Sequence, residues 1–142
     1  MPLRRVGFLL AAIAAAGLGG YLYLGGYGDG TAADGGAPIV AVKLPEALSA
    51  RAQLGREAYD ANCAECHGRN ATGLAGTAPP LVHVIYEPGH HGDESFQRAV
   101  ARGVRAHHWR FGNMPPVDGL TRREVADIVA YVRELQRANG IR

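Results

Sequence analysis

Sulfur is scarce in this chain of 142 residues, which contains only two cysteines and two methionines. Because the cysteines, Cys63 and Cys66, lie three residues apart, no disulfide framework holds the fold together. A surplus of charge is also lacking: the formal net charge of +2 at pH 7 argues against a nucleic-acid-binding protein. No alternation of apolar and polar residues is long enough to predict a strand. The length suits one domain with an appendage.

The N-terminal region contains one long uncharged run. Val6 to Leu24 follows Arg4 and Arg5, and as a helix it would rise about 28 Å, close to the apolar thickness of a bilayer. We expect residues 1–24 to be a single transmembrane anchor, with the arginines inside and the rest of the chain on the periplasmic side of a bacterial inner membrane. The alternative is a signal peptide cleaved near Ala14 to Ala16, which would export the same remainder.

A segment rich in glycine and proline follows this run. Six of the twelve residues from Gly25 to Gly36 are glycine, and Pro38 and Pro45 come after them. Such a composition offers too little apolar surface to order itself. The sequence therefore predicts a flexible tether over residues 25–45 and a separate domain over residues 46–142.

Three helical patterns occur in this domain, which we expect to be all-α. The first runs from Ser49 through Cys66 and the second from Glu94 to Arg102. The third begins at Thr121, which together with Glu124 matches a capping box, and ends at Asn139-Gly140.

The long segments between the helices predict that something other than side chains fills the interior. Arg69 to Asp93 and Val104 to Leu120 are rich in glycine, proline and histidine and carry no helical pattern. Three short helices form only a thin core, and a small domain rarely carries this much irregular chain without a use for it. A large apolar prosthetic group would account for both features.

The chemistry is indicated by Cys63-Ala64-Glu65-Cys66-His67, the pattern C-x-x-C-H. Positions i, i+3 and i+4 of a helix lie on one face, so both sulfurs can form thioether bonds to one haem while the imidazole reaches its iron. A dithiol redox pair would normally accompany a βαβ pattern, which is not found. A zinc site would need two further ligands at matching spacing, and there is no second cysteine pair.

From Leu54 to Gln136 the sequence resembles the small single-haem cytochromes c of class I, here with an N-terminal anchor added. The likeness lies in the haem motif with Gly68, in Gly55 and Tyr59 before it, in Pro79-Pro80-Leu81, in Gly112-Asn113-Met114-Pro115-Pro116, and in Ile128 to Arg133. The resemblance implies three or more short helices wrapped around one covalent haem c.

The resemblance also implies roles for individual residues. Cys63 and Cys66 would carry the haem, His67 would be the proximal iron ligand and Met114 the distal one. The carbonyl of Pro79 would accept the Nδ1 proton of His67, which fixes the ring and raises its basicity. Met114 is also the only methionine besides the initiator.

Other side chains in the irregular segments leave alternatives open. Histidine could replace Met114 as the distal ligand, the pairs His90-His91 and His107-His108 could form an accessory metal site, or all could be solvated. Trp109 and Phe111 would line the haem. A basic rim or merely a solvated helix face would be formed by Arg98, Arg102, Arg105 and Arg110.

These features predict an electron carrier and not an enzyme. With both axial positions filled, single electrons would pass between a redox protein donor and a redox protein acceptor, without a small-molecule substrate or nucleic acid. One alternative is a fixed haem subunit of a dehydrogenase or terminal oxidase complex. Another is a gas-binding module with a labile distal ligand.

Overall fold

The computed structural model describes residues 36–142, which fold into four helices and two single 3-10 turns. The turns are Arg69–Ala71 and Val84–Tyr86; the helices are α1 (Ala50–Asn62), α2 (Ala64–His67), α3 (Asp93–Arg102) and α4 (Arg122–Ala138). Over this part of the chain only isolated residue pairs form β-bridges, and there is no strand. The prediction of an all-α domain is therefore confirmed for residues 36–142.

The predicted membrane anchor at residues 1–24 lies outside the described residues. None of the helices between residues 36 and 142 is both long and apolar enough to cross a bilayer.

Helices α1 and α4 pack against each other and form the core. Tyr59 of α1 and Tyr131 of α4 are almost completely buried, with ring centroids 5.6 Å apart. The helices approach closely at Gly55, where any side chain would overlap the backbone of Asp127. The same core includes Ala52, Ala71, Val82, Ile128, Val132 and Leu135.

The ends of the two core helices follow from local chemistry. The Ser49 hydroxyl accepts a hydrogen bond from the Ala52 N–H at 3.2 Å and caps α1. Both hydrogen bonds of the predicted capping box between Thr121 and Glu124 are present at the start of α4. The first helix does not continue to Cys66 as predicted, because Cys63 leaves the helical conformation with φ −124° and a separate turn, α2, follows.

The segment before α1 is packed against the domain. The backbone N–H groups of Ile39 and Val40 donate to the Thr72 carbonyl at 3.2 and 3.1 Å. Lys43 and Asn139 exchange two hydrogen bonds of 2.9 and 2.8 Å. The tether was predicted over residues 25–45, of which 25–35 lie outside the described residues. In the described part, the backbones of Ile39, Val40 and Lys43 are hydrogen-bonded to the domain, which composition does not reveal.

Candidate functional site

The two cysteines and His67 are held by one tight turn between α1 and the following loop. The carbonyl oxygen of Cys63 accepts hydrogen bonds from the N–H groups of both Cys66 and His67, at 3.2 and 2.8 Å. Cys63 is half-buried and Cys66 is exposed. The turn therefore fixes the backbone of all three residues of the C-x-x-C-H pattern.

The environment of Cys63 does not activate its thiol. Burial, with smaller contributions from the charges of Cys66 and Asp60, raises the pKa of the Cys63 thiol to about 11. Catalytic dithiols depend on a lowered thiol pKa, because the thiolate is the nucleophile. Cys63, the first cysteine of the pair, thus lacks the lowered thiol pKa of an activated nucleophile.

His67 is oriented by a backbone carbonyl. Its Nδ1 lies 2.8 Å from the Pro79 carbonyl oxygen, and because a carbonyl can only accept, Nδ1 carries the proton. The other ring nitrogen, Nε2, then has a free lone pair. Burial lowers the pKa of His67, with the Pro79 hydrogen bond acting in the opposite direction. A neutral, oriented imidazole is the form that binds a metal.

A buried tyrosine connects this turn to the core. The Tyr59 hydroxyl donates to the Gly68 carbonyl at 3.0 Å, and burial raises the pKa of Tyr59 well above its usual range. Gly68 has φ +73°, a left-handed conformation that glycine adopts without strain. Tyr59 therefore links α1 to the end of the C-x-x-C-H turn, and the phenol stays neutral.

Met114 lies in a loop whose backbone is fixed by pairing. Val104 and Met114 exchange two backbone hydrogen bonds of 2.9 and 3.0 Å. Gly103, with φ +71°, lets the segments that contain Val104 and Met114 approach closely. A side chain at Gly103 would overlap the Met114 carbonyl oxygen. Two exposed prolines, Pro115 and Pro116, follow directly. The partly buried Met114 side chain is thus presented from a rigid backbone.

The apolar side chains beyond the core suit a large flat apolar group. No residue from His83 to Glu124 is buried, although this stretch contains many apolar side chains. Those partly exposed include Ile85, Phe96, Val100, Trp109, Phe111, Met114 and Val117. A haem, which is planar and mostly apolar, would cover such surfaces, so the residues present fit the group.

The indole N–H of Trp109 is a further feature that suits a bound haem. This N–H is buried and has no hydrogen-bond partner among the described residues. Burial raises the pKa of the neighbouring Tyr86, and Trp109 acts in the opposite direction, but the two side chains do not form a hydrogen bond of good geometry. Because buried donors are normally paired, this N–H fits an acceptor such as a haem carboxylate.

The sequence model of the family described as Cytochrome c matches residues 52–136, more than half of the chain. The chain belongs to the cytochrome c family. The predicted c-type cytochrome is confirmed at this level, and the protein is a haem-binding electron-transfer protein whose cofactor is covalent haem c. No curated protein and no solved structure matches the chain.

The structure separates the remaining histidines of this cytochrome c domain into two groups. His83 caps the turn Val84–Tyr86 by accepting from the Ile85 N–H at 3.2 Å, and its ring contacts Trp109 edge-on. The other four, His90, His91, His107 and His108, form one group that we call the histidine cluster. Desolvation, followed by repulsion from the other three rings, lowers the pKa of His108.

The four arginines of the predicted basic rim, Arg98, Arg102, Arg105 and Arg110, are all exposed. Their exposure agrees equally with a docking rim and with a solvated face, and the rim stays a prediction.

A buried cation in the cytochrome c domain was not predicted from sequence. Arg133 of α4 is only 7% exposed, and its guanidinium pairs with Asp93 at 2.9 Å. It also donates to the carbonyl oxygens of Tyr86 and His91, each at 2.6 Å. The available signal was its position beside Val129 and Gln136 on the apolar face of α4, where a charged residue requires buried partners.

Proposed function

We propose that this protein is a membrane-anchored class I cytochrome c that transfers single electrons, with His67 and Met114 as the axial ligands of one haem joined to Cys63 and Cys66. The observation that carries the proposal is the 2.8 Å hydrogen bond between His67 Nδ1 and the Pro79 carbonyl, which leaves Nε2 free for iron. When bound, haem supplies one-electron chemistry at iron.

The chain's own residues have separable tasks in this proposal. Cys63 and Cys66 would retain the cofactor, His67 and Met114 would bind its iron, and Pro79 would keep the imidazole in one tautomer and orientation. With both ligands bound, the iron would offer no position to a substrate, so we expect the protein to have no catalytic residue. A soft thioether ligand favours the reduced state and raises the reduction potential.

The predicted location limits which redox proteins can act as electron donor and acceptor. With residues 1–24 in the inner membrane and the haem domain on the periplasmic side, donor and acceptor would be redox proteins of that membrane or compartment. A tethered domain meets such partners at a raised effective concentration. Small, transient contacts are typical of electron-transfer complexes.

The distal assignment is tested by Met114→Ala in the full-length, haem-loaded protein. We expect covalent haem to be retained, the absorption band of thioether-bonded ferric iron to disappear, the potential to fall, and the reduced protein to bind carbon monoxide rapidly. Val104→Ala is the matched control, because it changes the residue paired with Met114 but leaves the sulfur in place.

Absorption spectra and carbon monoxide binding distinguish methionine ligation from a gas-binding module with a labile distal ligand. A thioether band that survives in Met114→Ala would refute methionine ligation. Rapid carbon monoxide binding by the unaltered protein would instead favour the gas-binding module.

A further inference from the structure

The histidine cluster lies outside the residues assigned to the haem. His90 and His91 follow the turn Val84–Tyr86, whereas His107 and His108 come from the loop before Met114, so two separate segments converge. The ring centroids of His90 and His108 are 5.2 Å apart, and the same distance separates those of His91 and His108. Three of these rings, those of His90, His107 and His108, are exposed to solvent.

We propose that His90, His91 and His108 bind one divalent transition-metal ion such as Zn²⁺. One ring nitrogen from each of the three lies within 4.8 Å of the others. The Nε2 atoms of His90 and His108 are 3.3 Å apart. Two nitrogens bound to tetrahedral zinc at 2.0–2.1 Å are separated by about 3.3 Å, so this pair already has the spacing of two ligands.

The third ligand is oriented by a backbone hydrogen bond. His91 Nδ1 donates to the Ile85 carbonyl at 2.6 Å, which leaves the lone pair on Nε2. Metal-binding histidines commonly have their second ring nitrogen held in this manner, which fixes tautomer and ring orientation. His91 can therefore offer its Nε2 lone pair to a metal ion shared with the exposed His90 and His108 rings.

Both segments that carry the triad are held in place by hydrogen bonds. The His91 carbonyl accepts from the buried Arg133 at 2.6 Å. In the opposing loop the Ala106 N–H donates to the Asn113 side chain at 2.9 Å, closing the turn that contains His108. The site would thus form with little ordering of the backbone, which lowers the cost of binding.

The donor set selects the class of metal. All three donors are imidazole nitrogens, which suit Zn²⁺, Cu²⁺ and Ni²⁺, whereas Mg²⁺ and Ca²⁺ require oxygen ligands. Asp93, the nearest carboxylate in sequence to His91, is paired with Arg133. We therefore expect Zn²⁺ to bind and Mg²⁺ not to bind.

Isothermal titration of the full-length, haem-loaded protein with Zn²⁺ tests the site. We expect saturation at one Zn²⁺ per chain and an affinity about tenfold weaker or worse in His90→Asn and in His108→Asn. His83→Asn is the matched control, because asparagine can still cap the turn at residue 83 and this histidine lies outside the cluster. The control should bind Zn²⁺ as the unaltered protein does.

Two results would overturn the metal site. One is Zn²⁺ binding that is equally strong in the unaltered protein and in the His90→Asn/His108→Asn double variant, or absent from both. The other is a changed haem absorption spectrum in His108→Asn, which would make His108 an iron ligand instead. Because unaltered haem spectra are part of the expected result, failure of the metal site is distinguishable from failure of His67/Met114 ligation.

Discussion

The buried Tyr131 hydroxyl makes stability depend on alkaline pH. Burial, reinforced by the charge of Asp60 and opposed by Arg56 and Arg69, raises the pKa of Tyr131 to about 12. An unfolded tyrosine ionises near pH 10, so the unfolded chain releases its proton first. The contribution of Tyr131 is therefore complete below about pH 10 and is lost as pH rises towards about 12.

Tyr131→Phe should flatten this dependence, which urea unfolding of the haem-loaded protein between about pH 8 and pH 11.5 measures. One such group contributes a slope of at most about 1.4 kcal/mol per pH unit. The variant should also lose about 0.5–1.5 kcal/mol at neutral pH, because the hydrogen bond to Asn70 is removed. Parallel stability curves for the variant and the unaltered protein would contradict the pKa assignment.

At the level of single residues, the sequence predicted the hydrogen bond between His67 and Pro79 but not the contacts of Arg133. Cys63, Cys66 and His67 follow from one local motif, and the expected hydrogen bond between His67 and Pro79 is present. The contacts of Arg133 are with residues 40 or more positions away in the chain. No local pattern states which carbonyl oxygens a buried arginine will reach.

The crossing of α1 and α4 depends on the missing side chain at Gly55. Gly55→Ala adds a methyl group that overlaps the Asp127 backbone, and neither helix backbone can move without disturbing the core. We expect a loss of about 1–3 kcal/mol of unfolding free energy, the usual cost of overpacking. Urea unfolding of the haem-loaded variant measures it.

Gly89→Ala provides the control for this substitution. A methyl group at Gly89 would meet no atom within 4 Å, so its effect should stay within about 0.5 kcal/mol. Equal stability of the two variants would show that the close approach at Gly55 does not determine how the helices pack.

At the level of elements, the helices were predictable because their signals are local. The capping box lies where α4 begins, and the apolar stripe runs along that helix. Gly103 lies where α3 ends. The break at Cys63 was missed, because the pattern before it is continuously helical. The break accompanies the hydrogen bond from the Tyr59 hydroxyl to the Gly68 carbonyl, nine positions along the chain, which the apolar spacing does not reveal.

Deleting residues 1–27 behind a cleavable signal should move the whole molecule from the membrane to the soluble fraction. We expect the soluble protein to carry haem and to have the spectrum of the full-length chain, because the haem motif and its supporting contacts lie within residues 36–142. Fractionation with and without high salt, followed by absorption spectroscopy, measures both properties. A full-length chain that is already soluble would contradict the anchor.

A longer deletion, of residues 1–45, tests the packed segment before α1. It removes the hydrogen bonds to Thr72 and Asn139, so its thermal midpoint should lie at least about 4 °C below that of the shorter deletion. Equal midpoints would show that residues 36–45 add no stability. The sequence placed these residues in the tether because a high glycine and proline content predicts flexibility. Their hydrogen bonds are to Thr72 and Asn139, and composition does not show that these later residues lie beside them.

The covalent haem is the central claim for the whole molecule, and a pyridine haemochrome assay of the denatured protein, with acid–acetone extraction beside it, tests it most directly. The account predicts one haem per chain, a spectrum characteristic of two thioether bonds, and pigment that stays with the protein after extraction. Colourless mature protein, or pigment that passes into the acetone, would contradict attachment through Cys63 and Cys66.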